Sequence, residues 1–226
     1  MVPICLLVSA ASGAEIDLLA PLGTEQWERV ERLTFAFNVE RDGVLKSRRL
    51  WTWQPAEGTV TLAVEGDSPL SFRFGHPTNE QERKADARFV NDSFWLLPHL
   101  HARWAGRDLT VVDGGTTVGP LGVGTARLVT LRYAADGGGY SPGDAYDLFL
   151  DANGRMVAWH FREGGRAEPS LTTTFEGWRQ VGPLWMATEH RDADAIEPGP
   201  PGGFRLFFTD LAVEMRPDPT PSPASE

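Results

Sequence analysis

The chain has 226 residues, a formal net charge of -10 and a pI near 5.0. That length builds one domain with a sizeable core plus tails, and the acidic balance argues against a nucleic-acid partner. The single cysteine, Cys5, excludes an internal disulfide, a thiolate zinc cluster and a redox pair.

Residues 4–11 (ICLLVSAA) form a short apolar run followed by Ser12-Gly13-Ala14. This resembles the apolar region and small-residue cleavage site of a secretory signal, although the usual positive start is missing. Residues 1–14 therefore read as a signal remnant, with the mature chain starting near Glu15 in a periplasmic or secreted location. The alternative is a buried N-terminal strand. The run is too short to span a bilayer. Residues 24–33 (TEQWERVERL) read as a helix, capped by Thr24, with Trp27, Val30 and Leu33 at helical spacing.

Alternation then dominates. Leu33, Phe35, Phe37 and Val39 share one face of a strand, and Arg41-Asp42-Gly43 turns the chain into a second strand over 45–53 that carries Trp51 and Trp53 on one face. Short strands follow over 59–64 and 70–74. Asn79 and Glu82 have capping-box spacing, and Asn91-Asp92-Ser93 offers a second helix start before Phe94-Trp95-Leu96-Leu97, with Pro98 as a stop. One or two short helices thus fall within 79–100. Further strands are expected over 126–133, 146–150, 156–161, 170–175, 184–190 and 204–215. Residues 196–203 (IEPGPPGG) read as a loop, and 216–226 (RPDPTPSPASE) as a disordered tail. The remainder, 15–215, is a single domain. Many short strands joined by Gly, Asp, Asn and Pro turns indicate an antiparallel, meandering sheet.

Asp151-Ala152-Asn153-Gly154 has the look of a calcium loop. An EF-type loop, however, needs an oxygen ligand at its fifth position and glycine at its sixth, and here these are Arg155 and Met156. A hairpin fits better. Tyr146, Leu148 and Leu150 share a face before the turn, Val157, Trp159 and Phe161 share one after it, and Asn-Gly supplies positive φ.

The succession of this hairpin (YDLFLDANGRMVAWHFREGG) and TTTFEGWRQVGPLWMATEH resembles the C-terminal half of the outer-membrane lipoprotein carrier superfamily, LolA and LolB and their relatives. RLTFAFNV and RRLWTWQP resemble its N-terminal strands, and FVNDSFWLLPHLHARW with GGYSPGDAYDLFLD resembles an uncharacterised secreted branch. The resemblance spans most of residues 20–215. It implies a mainly antiparallel β-fold, a curved and incomplete β-barrel whose open side is closed by lid helices over an apolar interior. It also implies an extracytoplasmic location. It carries over no functional residue.

Chemistry is thinly represented. His99 and His101 would share a face if extended, a spacing used by zinc ligands in strands, with His76, His160, His190 or a carboxylate as the third ligand. A metal-dependent hydrolase is the remotest reading. There is no Gly-x-Ser-x-Gly, and the glycines from 137 to 143 lack the context of a phosphate loop. Asp144 and Asp147 could be paired acids of a glycosidase type, but read better as a turn residue and an outward strand residue.

The remaining signal is aromatic: the chain has 8 Trp, and Trp51 with Trp53, and Trp159 with Phe161, recur at i, i+2. Such residues either fill a solid core or line a cavity of acyl-chain size. The cavity reading places Trp51, Trp53, Tyr146, Leu148, Trp159 and Phe161 on the concave face, with Phe94, Trp95 and Leu96 covering it. The expected function is non-catalytic binding or transport of a hydrophobic, lipid or lipoprotein ligand by a monomer, without cofactor or metal. The alternative is an interaction or sensor module for an envelope protein partner, with a filled core.

Overall fold

The structure, a computed structural model, describes residues 22–105, 108–136, 141–196 and 203–217. The signal-like segment with Cys5, the glycines at 137–139 and the tail beyond residue 217 lie outside these. A 3-10 helix over Thr24–Arg29 leads into strand β1 (Val30–Arg41), followed by β2 (Val44–Gln54), β3 (Thr59–Ala63) and β4 (Leu70–Arg73). Helices α1 (Glu80–Leu96) and α2 (Pro98–Ala105) come next, then β5 (Leu109–Val118), β6 (Thr125–Tyr133), β7 (Ala145–Leu150), β8 (Met156–Arg162) and β9 (Leu171–Thr174). The chain ends with β10 (Arg179–Val181), β11 (Leu184–Met186), β12 (Glu189–Arg191), the single turn α3 (Ala193–Ile196) and β13 (Phe204–Met215).

The strands form one sheet ordered β12-β13-β1-β2-β3-β4 and a second ordered β5-β6-β7-β8-β9, with β10-β11 a separate hairpin. All pairings are antiparallel. A bridge at Glu176–Glu189 joins the sheets. There the Glu176 N–H donates to Glu189 O at 2.8 Å, and the Thr188 N–H donates to Glu176 O at 2.9 Å. The Arg191 N–H donates to Thr174 Oγ1 at 3.1 Å beside it. The result is a continuous curved surface running from β4 to β5 whose two end strands never meet: an open half-barrel of antiparallel β, as expected.

Alternation sets its inner face. Leu33, Phe35 and Phe37 of β1, Trp51 and Trp53 of β2, Tyr146, Leu148 and Leu150 of β7, and Trp159 of β8 belong to one buried cluster. In β7 all six residues are buried, because the outer face is covered too. There Phe149 packs with Ala126 and Ala158 under Val123, and Asp147 takes hydrogen bonds from Thr130 Oγ1 and Arg162 Nε, each at 2.7 Å. The β7–β8 turn is self-contained. Asp151 Oδ1 accepts from the N–H groups of Asn153 and Arg155 at 2.8 and 2.9 Å, and Gly154 has φ 76°. Its carboxylate thus serves the turn.

Several expectations are corrected. The helix over 24–33 is only one short 3-10 stretch, started by Gly23 at φ 84° and not by Thr24. Val30 and Leu33 enter β1 because pairing with Met215 and Val213 satisfies their backbone. At Gly23 a Cβ would lie 1.9 Å from Pro183 O, so only glycine fits there. Asn79 does cap α1, its side chain accepting from the Glu82 N–H at 2.9 Å. No second start occurs at Asn91-Asp92-Ser93, since α1 runs through to Leu96. Pro98 opens α2 instead of stopping the chain, the first helical turn being where proline is tolerated. His99 and His101 are therefore helical and not extended. β5 and β10 were not anticipated, and the 184–190 strand is two strands. No described helix is long and apolar enough to cross a membrane.

Candidate functional site

Helix α1 lies in the concavity of the half-barrel and defines the site. On one side its Phe89 packs against Trp51 and Trp53 with ring centroids 5.3 and 5.1 Å apart, and against Phe74 at 5.4 Å. Asp92, fully buried, is clamped by β2. Arg49 donates to it through Nε at 2.7 Å and Nη2 at 2.9 Å, and Trp51 Nε1 donates at 2.8 Å. Arg49 also lies 4.7 Å over the Phe37 ring. A buried carboxylate needs this much pairing to stay buried, so the charge that disrupts a simple helical pattern at Asp92 is what fastens α1 to the wall. Ser93 Oγ donates back to Phe89 O at 2.7 Å, which lets a short polar residue sit mid-helix.

On the other side ring contacts dominate. Phe94 approaches Tyr146 at 4.7 Å and Trp159 at 5.8 Å, and Trp95 approaches Trp159 at 4.5 Å and His190 at 5.2 Å. Between α1 and the β7–β9 wall a cleft of about 340 Å³ remains. Its walls are Ala87, Val90, Phe94 and Trp95 of α1, and Tyr146, Trp159, Phe161 and Leu171 of the sheet, with Asn91, Ser141 and Asp144 as polar members. Burial, opposed by a hydrogen bond with Ser141 and aided by the Asp144 charge, pushes the Tyr146 phenol up to about 12. Asp144 Oδ1 accepts from the Gly164 N–H at 2.8 Å, which fixes the carboxylate. On the opposite flank of α1 a second cleft, about 330 Å³, is floored by Leu62, Val64 and Leu70 and edged by Lys84, Arg88 and Asp67.

Of the residues singled out from the sequence, Phe94, Trp95, Tyr146, Trp159 and Phe161 come together around the first cleft. Trp51, Trp53, Leu96 and Leu148 do not line it. They are 0, 3, 1 and 0 % exposed and sit in the solid core. Ala87, Val90, Asn91, Ser141, Asp144 and Leu171 were missed. The α1 members follow i, i+3, i+4, i+7 spacing from Ala87 to Phe94, a signal that becomes visible once the helix is continued through Asn91. Asp144 and Asp147 are no catalytic pair: Asp147 is engaged by Thr130 and Arg162 on the outer face, whereas Asp144 edges the cleft.

His99 is buried, and both its ring nitrogens lack a partner among the described residues. Burial, with Arg103 and His101 nearby, pushes it down to about 3. His101 Nε2 lies 2.9 Å from Ser93 Oγ. Among the described residues no group of three His, Cys, Asp or Glu side chains is gathered to hold a metal.

No protein-family model and no curated protein matches the sequence. Solved structures similar to the chain include a LolA superfamily protein from Nitrosomonas europaea, at 11% identity and a TM-score of 0.48 over 93% of this chain and 96% of that one. Another is a DUF1329 family protein from Desulfovibrio piger, at 10% identity and a TM-score of 0.46 over 89% of this chain and 92% of that one. The half-barrel itself follows from the strand order and the Glu176–Glu189 bridge.

Proposed function

We propose that this protein is a non-catalytic binder of a hydrophobic or lipid ligand, whose apolar chain occupies the cleft between α1 and β7–β9, and that it works outside the cytoplasm. The carrying observation is an unfilled space with an aromatic lining between α1 and the β7–β9 wall. A space of about 340 Å³ falls at the low end of the roughly 300–1,000 Å³ typical of ligand sites, and its apolar walls with a few polar groups match their usual character. This volume suits one chain or one small hydrophobic molecule. Calorimetric titration with decanol, a neutral single-chain probe, tests the reading. Saturable heat should appear in the parent and vanish in Ala87→Trp, which fills the cleft from a half-buried helix position. Absence of saturable binding by any chain-bearing probe would overturn it.

A second reading, an envelope interaction module, draws on the filled remainder of the concavity and on large apolar side chains left in solvent. Val118 is 80 % exposed at the end of β5, and Val44 and Leu45 are about half exposed at the β1–β2 tip. In that case Ala87→Trp would leave every activity unchanged, whereas substitutions at Val118 or Leu45 would not.

A further inference from the structure

The two clefts flanking α1 are close in size and differ in charge. The second one is lined by two cations, Lys84 and Arg88, and one acid, Asp67. The first has a single charged group in its lining, the carboxylate of Asp144, and no Lys or Arg side chain among the described residues. Two cations of this region are committed elsewhere. Arg162 is held by Asp147 on the outer face at 2.7 Å, and Arg166 pairs with Glu163 at 3.3 Å.

Resting on the occupancy proposed above, we infer that the first cleft selects amphiphiles by head group. It takes a chain whose head donates hydrogen bonds, a primary amine first and a hydroxyl second, and it rejects a fatty carboxylate. The chain lies against Trp95, Trp159, Phe161 and Leu171, and the head reaches Asp144 and Ser141. The reason is electrostatic. Two like charges brought within a few ångströms at the edge of a low-dielectric cleft repel strongly, while an ammonium in the same place gains a charge-assisted hydrogen bond. Asp144 is suited to the role because the Gly164 N–H binds only Oδ1 at 2.8 Å, which aims the carboxylate without neutralising it. The other flank of α1 differs, since two cations, Lys84 and Arg88, face one acid, Asp67, there.

The test compares decylamine, decanol and decanoate below their aggregation concentrations, by calorimetry on the full chain. The parent should bind decylamine at least tenfold more tightly than decanoate, with decanol between. Asp144→Asn keeps the acceptor for Gly164 and should bring the three probes to within about threefold of one another. Asp113→Asn removes an acid from the exposed face of β5, where it pairs with Arg127 at 2.6 Å. It should leave the order intact, which separates Asp144 from the general field of an acidic protein. Equal binding of all three heads by the parent, or an unchanged preference in Asp144→Asn, would overturn this inference while leaving the occupancy reading standing. Failure of all three probes to bind would overturn both. Preference for the amine that Ala87→Trp does not abolish would place the amine elsewhere and overturn the assignment to this cleft.

Discussion

The two walls that flank α1 hold it by different physics. The β1–β2 wall uses a buried ion pair with fork geometry, an indole N–H and ring packing around Phe89. The β7–β9 wall uses ring contacts and apolar packing and leaves a cleft. Directional bonds fix a helix at one distance, because moving the partner strands a buried charge. Ring contacts tolerate sliding and separation at a cost that rises gradually with the area exposed. The helix is therefore part of the first wall, and the cleft with the aromatic lining lies on the side held by ring contacts, while the second cleft flanks the first wall.

The largest effect that can break this comparison is at Asp92. Asp92→Ala should cost about 3–5 kcal/mol, because it takes from Arg49 its buried counter-charge, leaving it only Ser47 and the Phe37 ring, and leaves the Trp51 N–H without its acceptor. Chemical denaturation measures it. A loss below about 1 kcal/mol would mean that the clamp is not what holds α1. The double replacement with Arg49→Ala should fall well short of the sum of the two singles.

Trp159→Ala probes the other wall and should cost about 3 kcal/mol. This is the low end for truncating a buried aromatic, since the adjoining space lets Phe94 and Trp95 relax into the hole. A loss as large as that at Asp92 would show that the aromatic wall is as rigid as the bonded one.

Acid should erode the fold in a defined window. His190, packed between Trp95 and Phe175 where the sheets join, and His99 on α2 are each held by burial near 3, against an ordinary value of 6.5. Above pH 6.5 both are neutral whether folded or unfolded, and the stability tied to their neutrality is fully present. As pH falls through 6.5 toward 3 the unfolded chain binds protons that the folded one refuses, so stability drops by about 1.4 kcal/mol per pH unit per histidine. Denaturation at stepped pH should show the slope. His99→Leu should flatten it and, by removing two unpartnered buried nitrogens, hold or raise the midpoint at pH 7. A slope identical to the parent's would count against the burial of His99. The smallest effect, about 1 kcal/mol, is expected for Gly154→Val at the tip of the β7–β8 hairpin, where φ is 76°. A thermal midpoint equal to the parent's would remove the strained turn from the account.

What could be read from the sequence, and what could not, divides along similar lines. The β1, β2, β7, β8 and β13 strands are written in alternating side chains, and the Asp151–Gly154 turn in residues whose chemistry admits little else. β5 was missed because its apolar pattern stops at Val112. Beyond it, Asp113-Gly114-Gly115 carries a register shift against β6, and exposed residues follow. The true length of α1 was hidden because Asn91-Asp92-Ser93 has the composition of a helix start. Its actual roles, a clamp for Arg49 and a back-bond to Phe89, depend on strands distant in sequence. The aromatic members of the cleft could be named because large apolar residues advertise burial. Which of them border empty space depends on how far Phe89 and Trp95 fill the concavity, and no local pattern encodes that. Asp144, the one charged member, is indistinguishable in sequence from any turn aspartate.

The ladder between β1 and β13, which pairs Val30 with Met215 and Arg41 with Phe204, has a consequence in time. The central strand of the first sheet waits for a partner made after all its other strands, so the folding nucleus cannot include that edge until β13 has been synthesised. Pairings of such sequence separation make folding slow and leave early strands unpaired meanwhile. A nascent chain lacking its last strand has open edges at β1 and at β12.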